Sequence, residues 1–345
     1  MKILHIGHLD KFTSDFICFI EDNFNINEHE FRFFGRKEKY SLKSNKHIFI
    51  ERDVPWKNPI KMFFFIRAMV CSDKIIVHGL INNDLVRFLW LMPWLLNKSY
   101  WVVLGLDLYR YQKRNNSFSN RLREFFRRKV IKNIGHIVTY IKGDYDLAKE
   151  WYGAKGEYHE CFVYTSNLYK EHVVPVKQHS GINILVGNSA DPSNNHLDVF
   201  RKLENFKEID FKIFVPLTYG NKAYAENIIQ EGRKRFGDNF EPIVEHMPFS
   251  QYLEFLGKID VAIFNHKRQQ GMGNLITLLG LGKQVYLRAD VTPWQFFKSH
   301  NITIFDVEKI SFDGVDSSLL DANRKIVKEY FSYKNYMKQL NGIFC

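Results

Sequence analysis

Along the first half of the chain, short apolar runs rich in β-branched and aromatic residues alternate with longer stretches whose apolar positions recur every three or four residues. The runs are KILHIG (2–7), HEFRFFG (29–35), KHIFIE (46–51), KIIVHG (74–79), SYWVVLG (99–105) and GHIVTYI (135–141). A strand-like pattern that repeatedly gives way to a helical one predicts βαβ units, and therefore a parallel sheet with helices on its faces. Open parallel sheets bind ligands beyond the carboxyl ends of their strands. That places Gly7, His8, His78, Gly79, Gly105 and Asp107 on one common rim.

Periodicity lapses between Tyr158 and Ser180, around Pro175, and resumes with INILVG (182–187). From there FKIFVPLTYG (211–220), PIVEHM (242–247), DVAIFNH (260–266) and QVYLRA (284–289) read as strands. Between them AYAENIIQEGRKRF (223–236), SQYLEFLGKI (250–259) and NLITLLGLG (274–282) read as helices. This is a second doubly wound α/β unit. A length of 345 residues also exceeds one ordinary core. Two domains are expected, 1–175 and 176–345, with a last helical run at 322–344 able to pack on either.

A composition of 45% hydrophobic and 16% aromatic residues excludes a disordered chain. Lys and Arg number 49 against 38 Asp and Glu, a formal charge of +11 that favours nucleic acid, anionic lipid or a phosphorylated substrate as partner. Cys18, Cys71, Cys161 and Cys345 show no CxxC spacing, which fits a reducing cytoplasm better than a disulfide framework. The runs KMFFFIRAMV (61–70) and RFLWLMPWLL (87–96), the second broken by Pro93, fall short of the roughly 20 residues that cross a bilayer. No transmembrane helix is expected, and the N-terminus reads as a buried strand rather than an export signal. The 13 histidines contain no HExxH or comparable ligand pair, so no tightly bound metal is expected.

Three segments of the second half carry candidate chemistry. In LVGNSADPSNNH (185–196), Gly187 ends a strand and Asn188, Ser189, Asp191 and Asn194 lead toward a helix, whose amino end suits a diphosphate. The plainer alternative is a turn capped by Asp191 or Ser193. In RQQGMGN (268–274), Arg268 offers a fork of donors for phosphate and Gln269 and Gln270 offer amides for sugar hydroxyls. Gly271 and Gly273 permit close approach of backbone to a ligand, and Asn274 opens the following helix. This run lacks the Walker ending and the GxGxxG spacing, and a glycine-eased turn is its alternative. In VPLTYGNKAY (215–224), Tyr219 is placed to stack on a base or sugar, or simply to pack.

In the first half, His78 and Asp107 are the candidate catalytic bases at strand ends, each with a structural alternative as a buried hydrogen-bonded residue or a cap. The segment NRLREFFRRKVIKN (120–133) interleaves Arg121, Arg123, Arg127, Arg128, Lys129 and Lys132 with apolar residues. It fits a basic amphipathic helix on an anionic membrane, or a solvated helix with one core face. No zinc-finger, RRM-like or KH-like pattern accompanies the charge, so nucleic acid is not the expected partner.

Together ILVGNSADPSNNH, FVPLTYGNKAY and FNHKRQQGMGNLITLLGLGKQVYL, continuing through PWQFF (293–297), resemble glycosyltransferase family 56. Weaker matches are HG (78–79), GLDLY (105–109), RR (127–128) and GD (143–144). The resemblance implies a GT-B fold, in which two Rossmann-like domains face each other across a cleft. It further implies a fucosyltransferase-like enzyme whose C-terminal domain binds a nucleotide-diphosphate sugar, a TDP-linked deoxy- or acetamido-deoxysugar. The implied acceptor is a polyprenyl-diphosphate-linked saccharide of common-antigen or O-antigen synthesis, met at the cytoplasmic face of the inner membrane by a peripheral protein. No metal or other cofactor is implied. On this reading Arg268 and the turn amides near Gly187 and Gly271 hold the diphosphate, and Asp107 is the base if transfer inverts the anomeric centre. Two competing readings are a nucleotide-sugar epimerase of the same fold and a non-catalytic basic protein that binds nucleic acid or membrane.

Overall fold

The structure is a computed structural model that describes residues 1–36, 42, 45–112, 117–171 and 179–345. It divides into two compact units, Met1–Asn167 with Tyr336–Cys345, and Leu168–Asn335. The boundary expected at 175/176 falls among residues 172–178, outside the described residues.

The N-terminal unit holds the strands β1 (Ile3–His8), β2 (His29–Phe34), β3 (Ile48–Glu51), β4 (Lys74–His78), β5 (Ser99–Val102), β6 (His136–Val138) and β7 (Glu157–His159). They form one sheet of order β3-β2-β1-β4-β5-β6-β7, and its ladders are parallel. The six apolar runs of the sequence are β1 to β6. β7 escapes the pattern because its residues EYH are exposed or half-buried and present no apolar face. The helices are α1 (Lys11–Asn23), α2 (Pro59–Cys71), α3 (Asn83–Leu91), α4 (Phe118–Asn133) and α5 (Lys142–Tyr152). Phe65 and Met69 of α2, Leu85 and Phe88 of α3, Val130 and Ile131 of α4 and Ala148 of α5 share a core with Leu4, Ile6, Ile75, Val77, Trp101 and Ile137 of the sheet. Helices α2 to α5 therefore cover one face of it, as successive right-handed crossovers in one direction require.

The C-terminal unit repeats the plan with β8 (Ile182–Val186), β9 (Phe211–Pro216), β10 (Phe240–Ile243), β11 (Val261–Phe264), β12 (Gln284–Leu287) and β13 (Phe305–Asp306), ordered β10-β9-β8-β11-β12-β13. Its helices are α6 (His196–Leu203), α7 (Lys222–Phe236), α8 (Phe249–Gly257), α9 (Met272–Gly280), α10 (Thr292–Ser299) and α11 (Ser317–Tyr330). The single helical run expected at 322–344 is two helices, α11 and α12 (Tyr333–Phe344). The break is built from side chains: Ser332 Oγ accepts from the Asn335 amide, and Asn335 Nδ2 donates to the Tyr330 carbonyl. Such a cap competes successfully with continuation of the helix. Beyond it, Tyr336, Leu340, Ile343 and Phe344 are buried, and Tyr336 donates its hydroxyl proton to the Val163 carbonyl of the N-terminal unit to which it belongs.

No helix among the described residues is long and apolar enough to cross a membrane. In each sheet the strand order reverses at one point, between β1 and β4 and between β8 and β11. Those reversals leave a crevice at the carboxyl ends, where α/β sheets take their ligands.

Candidate functional site

The C-terminal reversal point is occupied by the loops the sequence singles out. Gly187, one residue past β8, has φ +70° and donates its N–H to the Ile263 carbonyl of β11 at 3.0 Å. A Cβ there would lie 2.5 Å from His196 Nε2 and 2.7 Å from Asn194 Oδ1, so glycine is required by space and by backbone conformation. A 3-10 turn, Pro192–Asn194, follows before α6, and Asp191 caps it by accepting from the Ser193 amide at 2.8 Å. The polar turn expected between Gly187 and the helix includes this 3-10 turn, and α6 begins at His196. Asn195 then takes the left-handed conformation, φ 50°, to start α6.

Asn194 is fully buried and ties the rim together. Its Oδ1 accepts from the Asn188 amide at 2.9 Å and faces His266 Nε2 at 2.7 Å, while its Nδ2 donates to the Asp191 carbonyl at 2.9 Å. Burial, with the charges of His196 and Arg268 adding to it, pushes the His266 imidazole down to about 3. It is therefore neutral near pH 7. Gln270 donates to Asn188 Oδ1 at 3.2 Å and accepts from the Ser193 hydroxyl at 2.7 Å. Asn188 in turn donates to the Tyr219 hydroxyl at 3.2 Å. At Gly220, φ +123°, the chain runs within bridging distance of Ala190, where a Cβ would meet backbone at 2.6 Å. The loops after β8, β9 and β11 are consequently one hydrogen-bonded layer.

Arg268 lies on this layer with its side chain 15% exposed. It donates to the Gln269 carbonyl at 3.2 Å and stands 3.8 Å from the Asp191 carboxylate. Gly271, φ +67°, precedes α9, whose first-turn amides have no acceptor within the helix. A guanidinium beside a helix amino end is an anion site by charge and by donor geometry. Gln269 and Gln270 are half-buried, and Tyr219 is 61% exposed. Gly273 and Asn274 belong to α9 itself: the Gly273 carbonyl accepts from Thr277, and Asn274 donates to the Tyr252 hydroxyl.

Sequence reasoning missed Asn265, His266 and Arg288. Asn265 donates to Asp198 at 2.8 Å and its carbonyl accepts from Asn195, while Arg288, just past β12, reaches Asn265 Oδ1 at 3.4 Å. Asn265 and Arg288 directly follow a buried strand and His266 is one residue further, so all three stand at strand ends as Gly187 does. A hollow lined by Ile182, Asp260, Gly282 and Lys283 sits at the opposite, amino ends of β8 and β11, away from these loops.

The family described as 4-alpha-L-fucosyltransferase, glycosyl transferase group 56, matches residues 61–341. The chain belongs to this family. Among solved structures it is similar to a glycosyltransferase from Rickettsia africae, with 14% identity, TM-score 0.66, and coverage of 99% of this chain and 98% of that one. It is also similar to Anabaena HepE in complex with UDP, with 10% identity, TM-score 0.72 and 99% of both chains covered. A third is WaaG, a glycosyltransferase involved in lipopolysaccharide biosynthesis, with 11% identity, TM-score 0.55, and 99% and 94% covered. At such identities the likeness is one of fold, and that fold is GT-B. Family membership makes the chain a glycosyltransferase, and so decides against the epimerase and the non-catalytic readings.

The N-terminal rim of this glycosyltransferase departs from expectation in two residues. Asp107 is fully buried, and its carboxylate accepts from the amides of Leu80, Leu104 and Leu108 and from Trp101 Nε1 at 2.7 to 3.0 Å. With both oxygens engaged and no surface reaching it, it fits the structural alternative, organising the loops after β4 and β5. His78 is a link in the buried row His29–His5–His78–Tyr164, joined at 3.0, 3.1 and 3.0 Å. Burial pushes its imidazole down to about 3, and it too is closed to an acceptor. His8 is exposed at the end of β1. The basic helix is α4, where Arg121, Arg123, Lys129 and Lys132 are exposed and Arg128 pairs with Glu124 at 3.2 Å. Arg127 is the third correction. It is buried, donating to the Asp107 and Leu80 carbonyls, so it braces the rim and meets no lipid.

Proposed function

We propose that this glycosyltransferase moves a deoxy- or acetamido-deoxysugar from a nucleoside-diphosphate donor, bound on the β8–β11 rim of the C-terminal unit, to a polyprenyl-diphosphate-linked saccharide of bacterial surface polysaccharide, whether common antigen or O-antigen. The observation that carries this reading is the convergence of three loops around Arg268 at the reversal point of the sheet. Arg268 and the first amides of α9 would receive the charge that builds on the departing diphosphate, the kind of stabilisation that contributes most in such transfers. Gln269 and Gln270 present amides for hydroxyls, and the Tyr219 ring presents a flat face for a base or sugar. Protein groups alone supply the positive charge on this reading, so no metal is required. A thermal-shift panel of TDP-, UDP- and GDP-sugars tests it. At a hundredfold excess over Kd a donor adds about 2.7 kcal/mol to stability, with the TDP sugar expected to raise Tm most. An unmoved Tm with every nucleotide sugar would remove this reading.

The same reading seats the protein peripherally on the cytoplasmic face of the inner membrane. Support comes from exposed residues of α2, α3 and α4 and of the 3-10 turn Pro93–Lys98. Phe63 and Trp94 are each 61% exposed and Phe118 is 81% exposed, and Phe64, Leu91 and Phe125 lie open beside them. Exposed Lys61 and Arg67 belong to α2 and exposed Arg121, Arg123 and Lys129 to α4, with Lys129 Nζ 5.9 Å above the Phe125 ring. Exposed aromatic rings together with exposed cations match the interfacial layer of an anionic leaflet. Phe63→Ser combined with Trp94→Ser is expected to weaken co-sedimentation with phosphatidylglycerol vesicles about tenfold or more, from lost apolar transfer, with donor binding unchanged. Undiminished sedimentation of the double variant would contradict this seat.

A further inference from the structure

We propose that His136, Glu157 and His159 form a binding site for a divalent transition-metal ion of the zinc class, remote from sugar transfer and serving to clip β7 onto the sheet. The three residues come from neighbouring parallel strands, with His136 opposite Glu157 and Val138 opposite His159 in register. Their ligand atoms face one another: His136 Nδ1 lies 2.9 Å from His159 Nε2 and 3.5 Å from Glu157 Oε2, and the last two are 3.8 Å apart. The point equidistant from three atoms so spaced, the circumcentre of their triangle, lies about 2.0 Å from each, the bond length of zinc to imidazole nitrogen and carboxylate oxygen. Small rotations of the half-exposed side chains would bring the three atoms into the tetrahedral arrangement that zinc takes with a water as fourth ligand. Two nitrogens and one oxygen suit zinc, nickel or cobalt, and are a poor set for magnesium or calcium.

The surroundings fit the same role. His136 stacks on Tyr100 with ring centroids 4.0 Å apart, which holds the ring with Nδ1 toward His159 Nε2. One neutral ring donates to the other across this contact. An ion entering there takes the place of that proton, which moves to the other nitrogen of the same ring, so no net proton is released. Lys74 repels a cation, but its ammonium is held by the Ile343 carbonyl at 2.7 Å. Glu157, whose side chain is 69% exposed, brings the compensating charge and leaves a coordination position open to water.

Titration of metal-free protein with zinc chloride in a calorimeter tests the site, with thermal unfolding as second readout. One ion per chain should bind in the micromolar range or tighter, raise Tm, and find no equivalent in magnesium chloride. His159→Ala is expected to weaken binding a hundredfold or more and Glu157→Gln about tenfold, with the nucleotide affinity of both variants unchanged, so that failure here is separable from failure of the donor site. His136 is left intact because its stack on Tyr100 contributes to the fold. Absence of stoichiometric zinc binding by the wild type overturns the site. So does equal binding by wild type and both variants, which would assign the zinc to other groups such as the exposed thiols of Cys71 and Cys345.

Discussion

Replacing Arg268 with alanine is expected to lower kcat/KM for sugar transfer by about two to three orders of magnitude, the loss typical of removing a principal donor to developing negative charge. Stability should change little. The bonds that hold the layer of loops together run between Asn194, Asn188, Gln270 and Ser193 and do not pass through the Arg268 guanidinium. Arg268→Lys should restore only part of the rate, because an ammonium is a point charge and cannot present two parallel N–H groups to a diphosphate. Steady-state kinetics of the three proteins, with their melting curves, checks both statements. A fall in rate that merely follows a fall in Tm would return Arg268 to a structural role.

Asp107→Ala has the opposite signature. Removing the carboxylate leaves the amides of Leu80, Leu104 and Leu108 and the Trp101 indole without an acceptor in a dry core. A cost of about 3 to 5 kcal/mol follows from several buried donors left unpaired together, read as a lower denaturant midpoint. Asp107→Asn should lose a part of this, since its amide nitrogen turns donor toward donor. A catalytic base would behave otherwise, with Asp107→Asn folding as well as wild type and losing activity by orders of magnitude. The burial of the carboxylate predicts that stability moves first and activity follows it.

Much of the fold was legible because buried parallel strands announce themselves as continuous apolar runs. β7 and β13 did not, being short edge strands with exposed or half-buried residues and so no run to read. The candidate loops were legible because a glycine ends a buried strand at Gly187 and opens a helix at Gly271, and such a residue at either junction signals a rim. The partners His266 and Asn265 were not, since their roles depend on β11 lying beside β8, which only the strand order supplies. Arg127 shows a signal that was present and unread. It stands three and four residues before the buried Val130 and Ile131, hence on the inward side of α4. The cluster of His136, Glu157 and His159 depends on the register of β6 against β7, and no local spacing encodes it.

The most direct test of the β8–β11 rim as donor site is calorimetric titration of TDP into the wild type, Arg268→Ala and Phe63→Ser. The wild type and Phe63→Ser are predicted to bind with the same affinity, and Arg268→Ala at least tenfold more weakly, about 1.4 kcal/mol. Equal affinity in all three proteins would contradict the placement of the donor diphosphate at Arg268.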